Sequence, residues 1–190
     1  YGVPFHSLGE LTRAHIGGGT PSTVKGEYWD GAVPWVSIGD LNSASAYITQ
    51  TRRTISELGL QKSATNLVPA GALVVALKIV PGKAKIAGVD LTLNQDLRGF
   101  VLDTRVFTKF VYYFFQTVQV TGNGSIVQGV TKQVLTSVQI PLPPLAVQEE
   151  IVRILDTFTE LEAELEAELE ARKKQYEYYR NKLLTFKEAS

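Results

Sequence analysis

The side chains best placed to do chemistry in this sequence are hydroxyls, amides and amines on turn-rich stretches. Residues 17–25 read Gly-Gly-Gly-Thr-Pro-Ser-Thr-Val-Lys, with Tyr28 and Trp29 close behind. Such a loop presents backbone N–H groups, the Thr20 and Ser22 hydroxyls and the Lys25 amine, all donors suited to phosphate oxygens and base edges. Arg52 and Arg53 add positive charge, as do Lys83 and Lys85, while Gln128, Thr131 and Lys132 offer an amide, a hydroxyl and an amine on one loop. Each stretch alone also reads as an ordinary exposed turn. Together these ten residues leave DNA binding open.

Catalytic chemistry finds less support. Gly122-Asn123-Gly124 lacks the glycine at 127 that a dinucleotide fingerprint requires, and Gly82-Lys83 has Leu77 where a phosphate loop needs glycine. No Gly-x-Ser-x-Gly elbow occurs, and Asn123-Gly124-Ser125 matters as a glycosylation pattern only in a secreted protein. His6 and His15 have no triad or metal spacing and are expected on the surface or in turns. With no cysteine there is no disulfide framework, thiol nucleophile or Cys-based zinc site. The expectation is no catalytic residue, no metal and no cofactor in this chain.

The elements that must position these residues divide in two at Ile140-Pro141-Leu142-Pro143-Pro144. All sixteen glycines and all eight prolines lie at or before residue 144. The formal net charge of zero, which at face value argues against a nucleic-acid binder, is a sum of opposites: residues 1–144 carry twelve bases and eight acids, residues 145–190 seven bases and eleven acids. The expected division is a globular region, 1–143, and a helical region, 144–190. In the first, residues 33–38, 72–77 and 85–89 read as strands, residues 106–118 as a helix and a short stretch before Lys62 as another. The fold class expected is α+β, a β-rich globular domain followed by one long helix.

From Pro144 to about Lys187 no helix breaker intervenes, which allows a helix of roughly 66 Å. Ile151, Ile154, Phe158, Leu161 and Leu165 follow a 3-4-3-4 heptad spacing. Leu169, Tyr176, Tyr179, Leu183 and Phe186 continue the seam after a four-residue stutter, with Arg172 in one seam position. A lone helix cannot bury such a stripe. Either it packs on its own domain, or it pairs with a second helix. Residues 145–171 carry nine acids and one base and residues 172–190 six bases and two acids, so an antiparallel pair sets acid against base where a parallel pair opposes like charges. The favoured arrangement is an antiparallel homodimer with a coiled-coil centre. Within the helix, Glu-Leu-Glu-Ala repeats three times over residues 160–171, each unit adding ~6 Å.

Several motifs then converge. Leu8-Gly9-Glu10, the residues 18–22 loop, Tyr28-Trp29 and Val33-Pro34-Trp35-Val36-Ser37-Ile38-Gly39-Asp40-Leu41 resemble the opening of a target-recognition domain from the DNA specificity subunit of type I restriction-modification enzymes. Asn94-Gln95-Asp96 resembles its mid-domain signature. The tail is more similar still: residues 140–145, Gln148-Glu149-Glu150-Ile151-Val152, Ile154-Leu155-Asp156, residues 170–180 and 182–186 resemble the family's helical conserved region. The resemblance covers nearly the whole chain.

It implies a non-catalytic, cytoplasmic DNA reader that docks methyltransferase (modification) subunits and translocase-nuclease (restriction) subunits, with S-adenosylmethionine held by the modification subunit. A full specificity subunit has two recognition domains and two antiparallel helices; one of each here implies a half-size form that rebuilds the whole as a homodimer. Two identical heads on such a spacer should read an interrupted inverted repeat, and the repeat count should act as a ruler for the gap. The lack of Met even at position 1 is expected of a trimmed chain or a fragment of a longer frame. No basic-then-apolar leader opens the sequence, and no run approaches the ~18 apolar residues of a membrane helix, so a soluble, intracellular protein is expected. From another class, a coiled-coil assembly protein whose head binds a protein is the alternative, and a stand-alone enzyme is a third.

Overall fold

The computed structural model describes residues 2–118, 120 and 129–186. In chain order the elements are β1 (Phe5–Ser7), β2 (Thr12–Gly17), β3 (Trp29–Val36), β4 (Tyr47–Ile48), β5 (Arg53–Ile55), α1 (Glu57–Gln61), β6 (Leu67–Val68) and β7 (Leu73–Ala76). They continue as β8 (Ala84–Ala87), β9 (Leu91–Leu93), β10 (Leu97–Leu102), α2 (Thr108–Thr117), α3 (Lys132–Thr136), β11 (Gln139–Pro141) and α4 (Leu145–Leu184). The chain forms two compact units, Tyr1–Glu149 and Glu150–Ser190, so the first turn of α4 groups with the globular unit.

That unit is built on three sheets. Five strands run in the order β2-β10-β7-β8-β4, four in the order β5-β3-β9-β6, and β1 pairs with β11. The β4–β8 and β3–β9 pairs are parallel and the others antiparallel. β7, β8 and β9 are buried along their whole length, Lys85 of β8 and Thr92 of β9 included, as expected of strands covered on both faces. One core cluster joins both larger sheets: Val36, Val68, Leu91 and Leu93 from one meet Ile48, Val74, Ala76, Ala87 and Leu97 from the other. Gly99 of β10 marks a close approach of the two sheets, since a Cβ there would sit 3.0 Å from both Val68 methyl carbons.

All three expected strands have shifted ends, and β7, Leu73–Ala76, is one residue shorter at each end than the expected 72–77. β3 begins at Trp29 and includes an irregularity between Trp29 and Val33 at which Asp30 takes φ 58°. It stops at Val36 because Ser37 and Asp40 form a capping box that starts a 3-10 turn over Ile38–Asn42. β8 ends at Ala87. The expected helices before Lys62 and near residue 110 are α1 and α2, and α2 buries Phe110, Val111 and Phe115. His6 and His15 lie on strands β1 and β2.

α4 runs unbroken for 40 residues, about 60 Å. Its first turn is fixed by Gln148, whose side chain is fully buried. The Phe107 N–H donates to its Oε1 at 2.9 Å, and its Nε2 donates to the carbonyls of Arg105 and Pro143, each at 2.9 Å.

Candidate nucleic-acid interface

Three groups of polar and basic side chains emerge on the globular unit, each held by different elements. The first surrounds Tyr28 and Trp29, which with Val33, Trp35 and Ile55 form an aromatic cluster of their own. Trp29 and Trp35 meet edge to face at 5.2 Å, and each indole N–H is satisfied by the preceding loop, Trp29 donating to the Ser22 carbonyl and Trp35 to that of Gly19. The ring of Trp29 is only 6% exposed, and the Arg53 guanidinium lies over it at 3.5 Å. Lys25 sits over the Tyr28 ring and donates to its hydroxyl at 3.1 Å, a contact that raises the pKa of the lysine above its ordinary value. Thr20 stands at the mouth of the same loop, where its hydroxyl donates to Gln95 Oε1.

The glycines of this loop serve packing. A Cβ at Gly18 would lie 1.9 Å from the Asn94 carbonyl oxygen, and one at Gly19 within 2.6 Å of the Ala64 backbone. Gly19 N–H donates to the Leu93 carbonyl at 2.8 Å. Gly18 and Gly19 are explained by close backbone approach, and Thr20, Ser22 and Lys25 are among the side chains the loop presents.

The second group centres on the 3-10 turn over Ile38–Asn42. The Asp40 side chain, only 4% exposed, accepts hydrogen bonds from the Ser37 N–H and hydroxyl and from the Arg52 N–H. Arg52 Nη2 donates to the Gly39 carbonyl at 3.1 Å. Lys83 donates to Asn42 Oδ1 at 2.7 Å. An open cavity of ≈ 400 Å³ is lined here by Gly39, Asn42, Ser43, Gln50, Thr51 and Arg52. Lys85 belongs to this group in another role. It is only 5% exposed and its ammonium donates to the Ser43 and Ser45 carbonyls, so it supports the turn from beneath. Burial, and then the charge of Lys83, push its pKa below the ordinary lysine value.

The third group gathers Thr131, Lys132, His15 and Arg98. Thr131 caps α3, its hydroxyl accepting from the Val134 N–H. The Lys132 ammonium is against His15 Nε2, and the pKa of His15 is lowered by burial and then by the charges of Lys132 and Arg98. Gln128 lies outside the described residues. The structure thus gathers Ser22, Lys25 and Arg53 around the aromatic cluster, Arg52, Lys83 and Lys85 around the turn, and Thr131 with Lys132 at α3. Asp40, Asn42, Gln95, His15 and Arg98 are polar members that residue type alone did not single out; the Ser37-x-x-Asp40 spacing is a capping-box signal that would have found Asp40.

On α4 the seam is open. Ile154, Phe158, Leu161, Leu165, Leu169, Tyr176, Tyr179, Leu183 and Phe186 are 43–81% exposed, and Ile151 is half-buried. Arg172 is paired with Glu168 at 3.3 Å and Lys174 with Glu170 at 2.6 Å along the helix. Among the described residues no group of His, Cys, Asp or Glu side chains converges to hold a metal, and no helix is long and apolar enough to cross a membrane.

A family model described as the type I restriction modification DNA specificity domain matches residues 3–171. The specificity subunit of the Escherichia coli enzyme EcoR124I/EcoR124II is 32% identical, over 97% of this chain and 48% of that protein. That of the Methanocaldococcus jannaschii enzyme MjaIX is 31% identical, over 76% of this chain and 35% of that protein. Among solved structures, a chain from a study of complex assembly and conformational transition in the type I R-M system aligns with TM-score 0.74 at 23% identity, over 93% of this chain and 44% of its own length. The HsdS subunit from Thermoanaerobacter tengcongensis aligns with TM-score 0.66 at 20% identity, over 87% of this chain and 39% of its own length. The chain spans less than half the length of each of these relatives.

Proposed function

The chain belongs to the type I restriction-modification DNA specificity family, and from that premise we propose that its globular unit reads duplex DNA while α4 pairs with a second copy to set the spacing between two reading heads. The observation that carries this reading is the α4 seam: a row of apolar side chains left in water along a helix acidic in its first half and basic in its second. A second copy laid antiparallel covers both seams and opposes unlike charges. Two identical heads related by a two-fold axis then read an interrupted inverted repeat.

Thr20, Ser22, Lys25, Arg52, Arg53, Lys83, Thr131 and Lys132 are the contacts this reading assigns to DNA, with Lys85 supporting the turn. The subunit itself catalyses nothing; methylation falls to a docked modification subunit that holds S-adenosylmethionine, and cleavage to a docked translocase-nuclease, in the cytoplasm. The three Glu-Leu-Glu-Ala units act as a ruler, each ~6 Å long against ~3.4 Å per base pair. The test is to sequence methylated sites in cells that make the chain with its modification subunit, with three repeats and with two. The expected result is an inverted repeat whose gap shortens by about one or two base pairs in the deletion. An asymmetric site refutes the homodimer, and an unchanged gap refutes the ruler.

A further inference from the structure

Arg52 and Arg53 are neighbours in sequence with opposite fates. The backbone and guanidinium of Arg52 are tied to Asp40 and Gly39. Arg53 is exposed on β5, an edge strand of the four-stranded sheet, and none of its guanidinium N–H groups has a hydrogen-bond partner among the described residues. Its guanidinium carbon lies over the Trp29 ring, 3.5 Å from its centre, a separation at which a guanidinium stacks on an aromatic face. Trp29 in turn is fixed by the bond from its indole N–H to the Ser22 carbonyl and by edge-to-face packing on Trp35.

A guanidinium stacked flat on an immobile ring keeps its donors in one plane, pointing sideways from the ring, and loses little further freedom when it binds. Two parallel N–H donors in a plane match the O6 and N7 acceptors of guanine in the major groove, and match no other base there as well. Lys25, held on the adjacent Tyr28, supplies a nearby positive charge that draws a phosphate backbone to the same patch.

We propose that Arg53, stacked on Trp29, is a specificity-determining residue that reads one guanine in each half of the target. This rests on the DNA-recognition reading above. The experiment is selection from a random duplex library by the chain in complex with its modification subunit, for the wild type, Arg53→Gln, Arg53→Lys and, as a control on an arginine paired with Asp103 and assigned no DNA contact, Arg105→Lys. The expected result is a wild-type site with a guanine in each half, a preference lost about ten- to a hundredfold at that one position in both Arg53 variants, and an unchanged site in the Arg105 variant. Arg53→Lys keeps an aliphatic cover and a charge on Trp29, so the readout survives if Arg53→Gln unfolds. A site without guanine, a site unaltered by Arg53→Lys, or a loss of affinity spread evenly over all sequences would overturn the assignment while leaving DNA recognition standing. Failure of the wild type to enrich any sequence would instead overturn DNA recognition, and this inference with it.

Discussion

The globular unit and the long helix treat their apolar side chains in opposite ways. In Tyr1–Glu149 the large aliphatic residues of β7, β9 and β10 are buried against one another across two sheets. In Glu150–Ser190 the seam from Ile154 to Phe186 faces water. Both regions are rich in apolar residues, yet only the first contains the surfaces that cover them. A sheet can find its second layer within one chain, whereas a single straight helix has no second layer to offer. The stability of the unit is therefore a property of one molecule, and that of the helix should depend on how many copies are present.

The largest expected effect lies in the core shared by the two sheets. Leu93→Ala should cost about 3–4 kcal/mol, read from urea unfolding, with a midpoint independent of protein concentration. A midpoint that moves with concentration would break the contrast. Gln148→Ala follows at about 2 kcal/mol, because the buried Gln148 amide is lost and three part-buried backbone groups lose their partner at once. Its signature is a destabilised globular unit with the helix retained by circular dichroism.

The double change Phe158→Ala and Leu165→Ala should move unfolding of the globular unit by less than about 0.5 kcal/mol. The same pair should weaken self-association at least tenfold in sedimentation equilibrium. An association unchanged by the pair would mean that the seam is covered by something other than a second copy.

The smallest effect is electrostatic and confined to the globular unit. The hydrogen bond from Arg105 holds the Asp103 carboxyl below its ordinary pKa. That interaction stabilises the fold above the ordinary carboxylate range near pH 4 and is lost as pH falls through the lower folded value. Arg105→Ala should therefore lower the melting temperature slightly at pH 7 and not measurably at the acid end, by thermal melts at both pH values.

Much of the fold was legible because it is written locally. Sixteen glycines and eight prolines before residue 145 and none after it mark the turn-rich part from the helix, and α2 and α4 announce themselves by period. The ends of β3 were less legible. Ser37 and Asp40 stop that strand through a capping box whose residues sit inside an otherwise strand-like run. Gly18 and Gly19 looked like donors for a ligand, and packing against Asn94 and Ala64 explains them instead, a contact invisible in the sequence.

The basic residues divide on the same ground. Arg52, Arg53, Lys83 and Lys85 are equivalent as letters. What separates them is the acceptor each one meets: Asp40 and Gly39 for Arg52, Asn42 for Lys83, and Ser43, forty-two positions away, for Lys85. The sequence by itself determined the two-part division, the length and seam of the helix and the opposed charge of its halves, since propensity, period and charge act between near neighbours. Only the tertiary structure decided which cations remain free to meet a ligand, because a charged group is occupied or idle according to what distant segments bring beside it.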